Sequence, residues 1–437
     1  MRFDIRRAFV TVAALLLLPA LLACGGDDDD PTATATGSTP AAETSATSSE
    51  VTAPASETDT TDDGDEPAAT AGADGSNPVP PTGTAGADAT APSTDGSSGF
   101  AYGWNVAVRG DDEGGGHNER VVDSVQESGF GWVRFQLEWS QFERVDNQWD
   151  PLPVDRIVDE FAGEGINILL VVAKAPDWAL DPTGGQLLAD YTQFTELMAF
   201  VAQRYAGKVQ AWEIWNEQNL AHEVNGNIRV ADYFELLRAG FAGVRQGNPQ
   251  ALVVFGGLTP NGVNDPSIAI DDVEYLSQIY QYQRGEIALY FDVMGMHVSS
   301  THNPPDTMWP DNPSDEDGYN DDESFYFRRA EQLRDVMIAN GDSSKPVWIT
   351  EFGWTTANQA EGYEYGANNT EDEVAEYLVR SFEIARNEWD FVTGMFVWTL
   401  NWTTLAPPED EKYPWSSVNS DWTPRPSYDA LRDMLKD

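Results

Sequence analysis

AWEIWNEQNL, residues 211–220, decides how this chain is read. It opens as a buried strand, with Trp212, Ile214 and Trp215 among few polar neighbours. It then ends in Asn216-Glu217, beside two indoles. A carboxyl at the end of an apolar strand is costly to bury unless something compensates for it. Strand-like runs of the same kind recur along the chain, at 100–108, 132–139, 166–176, 208–217, 251–260, 292–300, 346–354 and 392–401. Between them lie helical patterns such as 189–207 and 371–389; in the latter, Val374, Tyr377, Leu378, Phe382 and Ala385 share one face. Short apolar runs alternating with amphipathic helices predict βα units on a parallel sheet. Eight of them predict an α/β fold of the (β/α)8 TIM barrel type over residues 100–437. A doubly wound sheet would open with a glycine-rich phosphate loop, and RGDDEGGGHN at 109–118 lacks that spacing.

Working outward, the chain before the barrel has a different composition. Residues 1–24 begin with Arg2, Arg6 and Arg7, continue through an apolar run, and end in Leu21-Leu22-Ala23-Cys24. This pattern predicts a lipoprotein signal peptide, with Cys24 as the lipidation site. Cys24 is also the only cysteine, so no intrachain disulfide can form. Residues 25–99 are mostly Asp, Thr, Ala, Gly, Ser and Pro, with 15 acidic residues and no basic or aromatic ones. Such a segment cannot bury enough apolar surface to offset its chain entropy, and it is expected to be a disordered linker. The net charge of the whole chain is −48, most of it in the barrel segment, and it argues against nucleic acid as a partner. A membrane partner is expected only through lipidated Cys24, which places the protein at the outer face of the bacterial cell membrane. A monomer is expected.

Catalytic groups of a (β/α)8 barrel sit at the C-terminal strand ends, because the βα loops build the site there. Reading only those ends gives Arg134, Lys174 with Trp178 beyond it, Asn216-Glu217, His297, Glu351 with Trp354, and Trp398. Two carboxyls, Glu217 and Glu351, end two strands that are not neighbours, so they face each other across the mouth. Paired carboxyls among aromatic rings suit glycosidic bond cleavage, in which one donates a proton and the other attacks or stabilises the sugar cation.

WEIWNEQNL together with WITEFGW (348–354) resembles clan A of the retaining glycoside hydrolases, and more closely its family-39-like and cellulase-like members. The similarity extends through 133–150, 253–260, 297–306, 395–402 and 421–431. The resemblance implies Glu217 as acid/base and Glu351 as nucleophile. It implies Asn216 on the sugar 2-hydroxyl, Arg134 supporting the nucleophile, and Trp398 as the floor under the reacting sugar. It also implies a cis Trp398–Thr399 peptide. His297, Trp178, Lys174 and Trp354 complete the expected substrate-binding set. After strand 6 the family usually has His-Pro-Tyr, where this chain has His297-Val298-Ser299; Ser299 is too short to reach the nucleophile as that Tyr does, so that either His302 or a loop residue substitutes, or the rate or the substrate differs.

Glu213 is expected to form a buried pair with Arg134 rather than to take part in chemistry. The indoles of Trp104, Trp139, Trp178, Trp309, Trp354 and Trp402 divide between sugar platforms and packing, about half each. Four His without ligand spacing argue against a metal, no cofactor is expected, and the acid run 311–323 lacks the EF-hand register. The expected activity is double-displacement hydrolysis of a β-linked oligo- or polysaccharide, with Glu217 held protonated by its apolar surroundings and by the charge on Glu351. Two other readings stay open: a transglycosylase that remodels surface glycan, and a non-catalytic carbohydrate-binding lipoprotein.

Overall fold

The computed structural model describes residues 99–111, 116–311 and 322–436. The expected signal peptide, the lipidation site Cys24, the linker up to residue 98 and most of the acid run lie outside the described residues. Eight parallel strands form a closed barrel, each hydrogen-bonded to the next in chain order, with the last returning to the first. They are β1 (Ala101–Asn105), β2 (Trp132–Glu138), β3 (Asn167–Ala173), β4 (Ala211–Ile214), β5 (Leu252–Phe255), β6 (Val293–Ser299), β7 (Val347–Gly353) and β8 (Val392–Val397). A longer helix follows each strand: α1 (His117–Glu127), α2 (Leu152–Gly163), α3 (Tyr191–Arg204), α4 (Val230–Gly247), α5 (Asp272–Gln281), α6 (Arg329–Ala339), α7 (Glu371–Glu388) and α8 (Pro426–Asp433). The (β/α)8 expectation holds for strand number, order and connection.

Helix starts follow local chemistry. Thr370 and Glu373 form a reciprocal capping box at the start of α7, satisfying backbone N–H groups that the helix leaves unpaired. The face predicted for α7 is the one that packs: Val374, Leu378, Phe382 and Ala385 are buried.

Inside the barrel, side chains alternate along each strand with period two. Trp132, Leu169, Ala211, Val254, Trp348 and Phe396 form an apolar layer at the bottom. Trp132 and Trp348 meet edge to face at 5.1 Å. Gly103 leaves room for Phe396 there, because a Cβ on it would lie 2.2 Å from the ring. One period further along three of those strands come Arg134, Glu213 and Thr350. The fold therefore closes the barrel floor with aromatic rings and puts polar side chains directly above it.

Candidate active site

Arg134 is 4% exposed and is the hub of the polar layer. Its Nε donates to Glu213 Oε2 at 2.6 Å, and its NH1 to Asn105 Oδ1 at 2.8 Å. NH1 also donates to Glu351 Oε1 at 2.5 Å, and NH2 to Asn216 Oδ1 at 3.0 Å. Glu213 is fully buried, and its Oε1 accepts from the Gly257 N–H and the Thr350 hydroxyl. A buried carboxylate is tolerable only when paired and hydrogen-bonded in this way. The expected Glu213–Arg134 pair is present.

The end of β4 delivers Glu217 through unusual backbone. Trp215 and Glu217 have φ of 71° and 51°, which costs a non-glycine residue about 1–3 kcal/mol each. The Trp215 N–H donates to Val172 O at 3.0 Å, and the Glu217 N–H to Gly257 O at 2.9 Å. Strands on both sides thus hold the turn.

His297 links the two carboxyls. Its Nδ1 lies 3.2 Å from Glu217 Oε1, and its Nε2 lies 3.7 Å from Glu351 Oε1. An oxygen of each carboxyl and a ring nitrogen of His297 all lie within 4.8 Å of one another. A register shift between Met296 and His297 brings His297 opposite Glu351 rather than Thr350. By donor type this trio suits a metal ion, but the Arg134 guanidinium, in contact with Glu351 and 3.5 Å from His297, already supplies a fixed positive charge and opposes a second. Among the described residues, the contacts of Glu351 come from Arg134 and His297, not from Ser299 or His302.

The charges differ from expectation. Burial alone would raise Glu217, but the hydrogen bond and charge of His297 outweigh it and draw the carboxyl down to about 2. Glu351 is raised, chiefly by burial, with the charge of Glu217 adding to this against the pull of His297 and Arg134. His297 is raised despite its burial, by the charge of Glu351 and the bond to Glu217. The sequence suggested that apolar surroundings and the charge on Glu351 keep Glu217 protonated; the ring of His297, delivered from β6, pulls Glu217 the other way.

The remaining expected residues divide. Trp398 is half-buried past the end of β8, its N–H bonded to Phe352 O at 2.8 Å, and the Trp398–Thr399 peptide is cis. Trp178 is half-buried, with its Nε1 donating to Glu143 O at 3.0 Å and its ring edge-on to Trp139. Lys174 follows β3 and is ion-paired with Glu223. Trp354 is not a cleft residue: it is 2% exposed, donates to Asn303 O and packs against Tyr377 of α7. The reason is an extra residue in β7: between Ile349 and Phe352 the register shifts against both neighbouring strands, so Thr350 and Glu351 both face the barrel interior while Phe352 and Trp354 face the helices. Trp104 and Trp139 are likewise buried, while Trp178, Trp309 and Trp402 keep some exposure.

Sequence reasoning missed three features. Gly257 donates to Glu213, accepts from Glu217 and lies flat against His297; a Cβ there would sit 2.1 Å from the ring. The pair Gly256-Gly257 after β5 was the available signal. Glu411, in the loop after β8, is ion-paired with Lys412 at 3.0 Å and raised by burial, with the charge of Glu217 contributing. Lys412 in turn lies 5.5 Å from the Trp402 ring centre. The third feature is the group around Glu223.

Two carboxyls facing each other at the mouth of a (β/α)8 barrel, with Asn before one and an indole-bearing strand beside the other, define a glycoside hydrolase of the clan A type. The family model for cellulase, glycosyl hydrolase family 5, matches residues 89–399, and the chain belongs to that family. No curated protein matches the chain. Among solved structures it is similar to a family 39 glycoside hydrolase from the gut symbiont Bacteroides cellulosilyticus WH2, at TM-score 0.56 and 19% identity, over 76% of this chain and 62% of that one. It is also similar to a family 39 enzyme from Xanthomonas axonopodis pv. citri, at TM-score 0.54 and 18% identity, over 77% and 67%. A monomeric beta-xylosidase from Caulobacter crescentus CB15 gives TM-score 0.53 and 16% identity, over 77% and 68%. At these identities the likeness is one of fold. The chain spans less than two thirds of the length of the first of these structures.

Proposed function

We propose that the protein is a retaining glycoside hydrolase that cleaves a β-linked glycan by double displacement. The observation that carries this is the close approach of Glu217 and Glu351, within 4.8 Å at the strand ends. Carboxyl groups about 5 Å apart suit direct attack by one of them, whereas inverting enzymes need room for a water between them. Glu351 attacks the anomeric carbon while Glu217 protonates the leaving oxygen. A covalent glycosyl-enzyme forms, and Glu217, now ionised, activates water to release the sugar.

The reaction needs the proton on Glu217, against the pull of His297 on that carboxyl. His297 touches Glu217 through Nδ1 and faces Glu351 through Nε2. The proton reaches Glu217 Oε1 from His297 Nδ1, the ring nitrogen within hydrogen-bond reach of it. Glu351 is left as a carboxylate against Arg134, whose fixed charge suits it. Asn216, held by Arg134, lies beside Glu217 to bind the sugar 2-hydroxyl, and Trp398 forms the floor of the sugar site.

We further propose that Cys24 carries a lipid and that residues 25–99 tether residues 100–437 as a monomer at the outer face of the membrane. The test is turnover on a panel of β-linked poly- and oligosaccharides and aryl β-glycosides. Activity on at least one, lost by a factor of about a thousand or more in Glu351→Gln, is the expected result. Binding without turnover would favour a carbohydrate-binding lipoprotein.

A further inference from the structure

Lys174, His222 and Glu223 form a charged group beside Glu217 that the mechanism leaves unused. The chain has five lysines, and Lys174 is placed at the catalytic mouth. Val172 of β3 pairs with Ile214 of β4, and its carbonyl accepts from Trp215. Lys174, two residues past Val172, therefore stands about level with Glu217. β3 lies four strands from β7 around the ring, so Lys174 is on the far side of the mouth from Glu351.

Lys174 Nζ donates to Glu223 Oε2. Glu223 Oε1 lies 3.2 Å from His222 Nε2, yet neither atom has a hydrogen-bond partner among the described residues. The Glu223 side chain is 1% exposed, while those of Lys174 and His222 are 26% and 19% exposed. The group is fixed to the catalytic strand, because Trp215 Nε1 donates to Glu223 O at 3.0 Å. His222 also contributes to lowering Glu217.

Glu223 is thus a buried carboxylate that holds an ammonium and lies beside an imidazole, both partly exposed at the rim. An ammonium has three N–H donors, and Glu223 takes one of Lys174's. The others are left for a ligand at the partly exposed rim. We infer that Lys174, His222 and Glu223 form the leaving-group subsite, which binds the hydroxyls of a neutral sugar unit released across Glu217. Lys174 and His222 touch that sugar, and Glu223 positions both. Because Glu223 matches the charge of Lys174, the subsite offers hydrogen bonds rather than net positive charge, and a uronate in that position gains nothing over a neutral sugar. The inference rests on the glycosidase reading, with Glu217 as proton donor.

The test compares two substrates with the same glycone: an aryl β-glycoside, whose leaving group has no hydroxyls, and the β-linked di- or trisaccharide. Lys174→Met and Glu223→Gln should each lower kcat/KM on the oligosaccharide about tenfold more than on the aryl glycoside, the scale of one charged hydrogen bond. The oligosaccharide should gain mainly in KM. Thermal unfolding of both variants separates misfolding from lost recognition, and if one fails to fold, the other still reports the ratio. An equal fall on both substrates, or a uronate leaving unit cleaved faster than the neutral one, would overturn the inference and leave the glycosidase reading standing. A wild-type protein inert towards every glycoside tested would overturn that reading, and this inference with it.

Discussion

Glu217 and Glu351 differ less in their burial than in their company. Glu217 has the His297 ring, and Glu351 has Arg134, His297 and the charge of Glu217. That charge raises Glu351, so removing it should lower Glu351. Glu217→Gln should therefore shift the acidic limb of the pH–rate profile to lower pH, measured on an activated aryl glycoside that needs no proton donor. On substrates with poor leaving groups the same variant should lose about a hundredfold to ten-thousandfold in rate. An acidic limb that stays in place would mean that the two carboxyls do not sense each other. At this scale the two Glu were legible in the sequence, because each ends an apolar run next to Trp. Their protonation was not legible, because it is set by His297, which lies 80 residues from Glu217 along the chain.

Strands and loops determine what each residue meets. The strand order was readable from the recurring apolar runs, but the strands are shorter than those runs; β4 is four residues. Period two gave inward and outward positions along the regular strands, but the extra residue in β7 puts Thr350 and Glu351 on one face, so parity counted from Trp348 would have turned Trp354 into the barrel. The extra residue in β7 and the use of Gly257 were not legible, because both depend on how neighbouring strands align. Gly257 makes its own test. In Gly257→Ala the new Cβ would sit 2.1 Å from His297 Cδ2. Either the ring or the loop must move, at a cost of about 1–3 kcal/mol for such overpacking. We expect a lower midpoint of thermal unfolding, and a larger loss of kcat/KM than the stability change explains. Unchanged activity would mean that His297 does not act through its fixed position.

For the whole chain, composition separated residues 1–99 from the barrel where apolar runs begin. The low-lysine, acidic barrel segment still carries Lys174 and Lys412 in its βα loops, each matched to a glutamate. The anchor has its own test. Cys24→Ser should move the protein from the membrane fraction into the medium, followed by cell fractionation; unchanged membrane association would remove the lipid anchor from the account. Direct attack on the sugar by Glu351, as proposed above, is read from the stereochemistry of the first-formed product. Proton NMR of the anomeric signal during the first turnovers of a β-glycoside should show the β-anomer appearing first and only later mutarotating to α. The α-anomer appearing first would mean that a water, not Glu351, attacks the sugar, and would contradict the double-displacement mechanism.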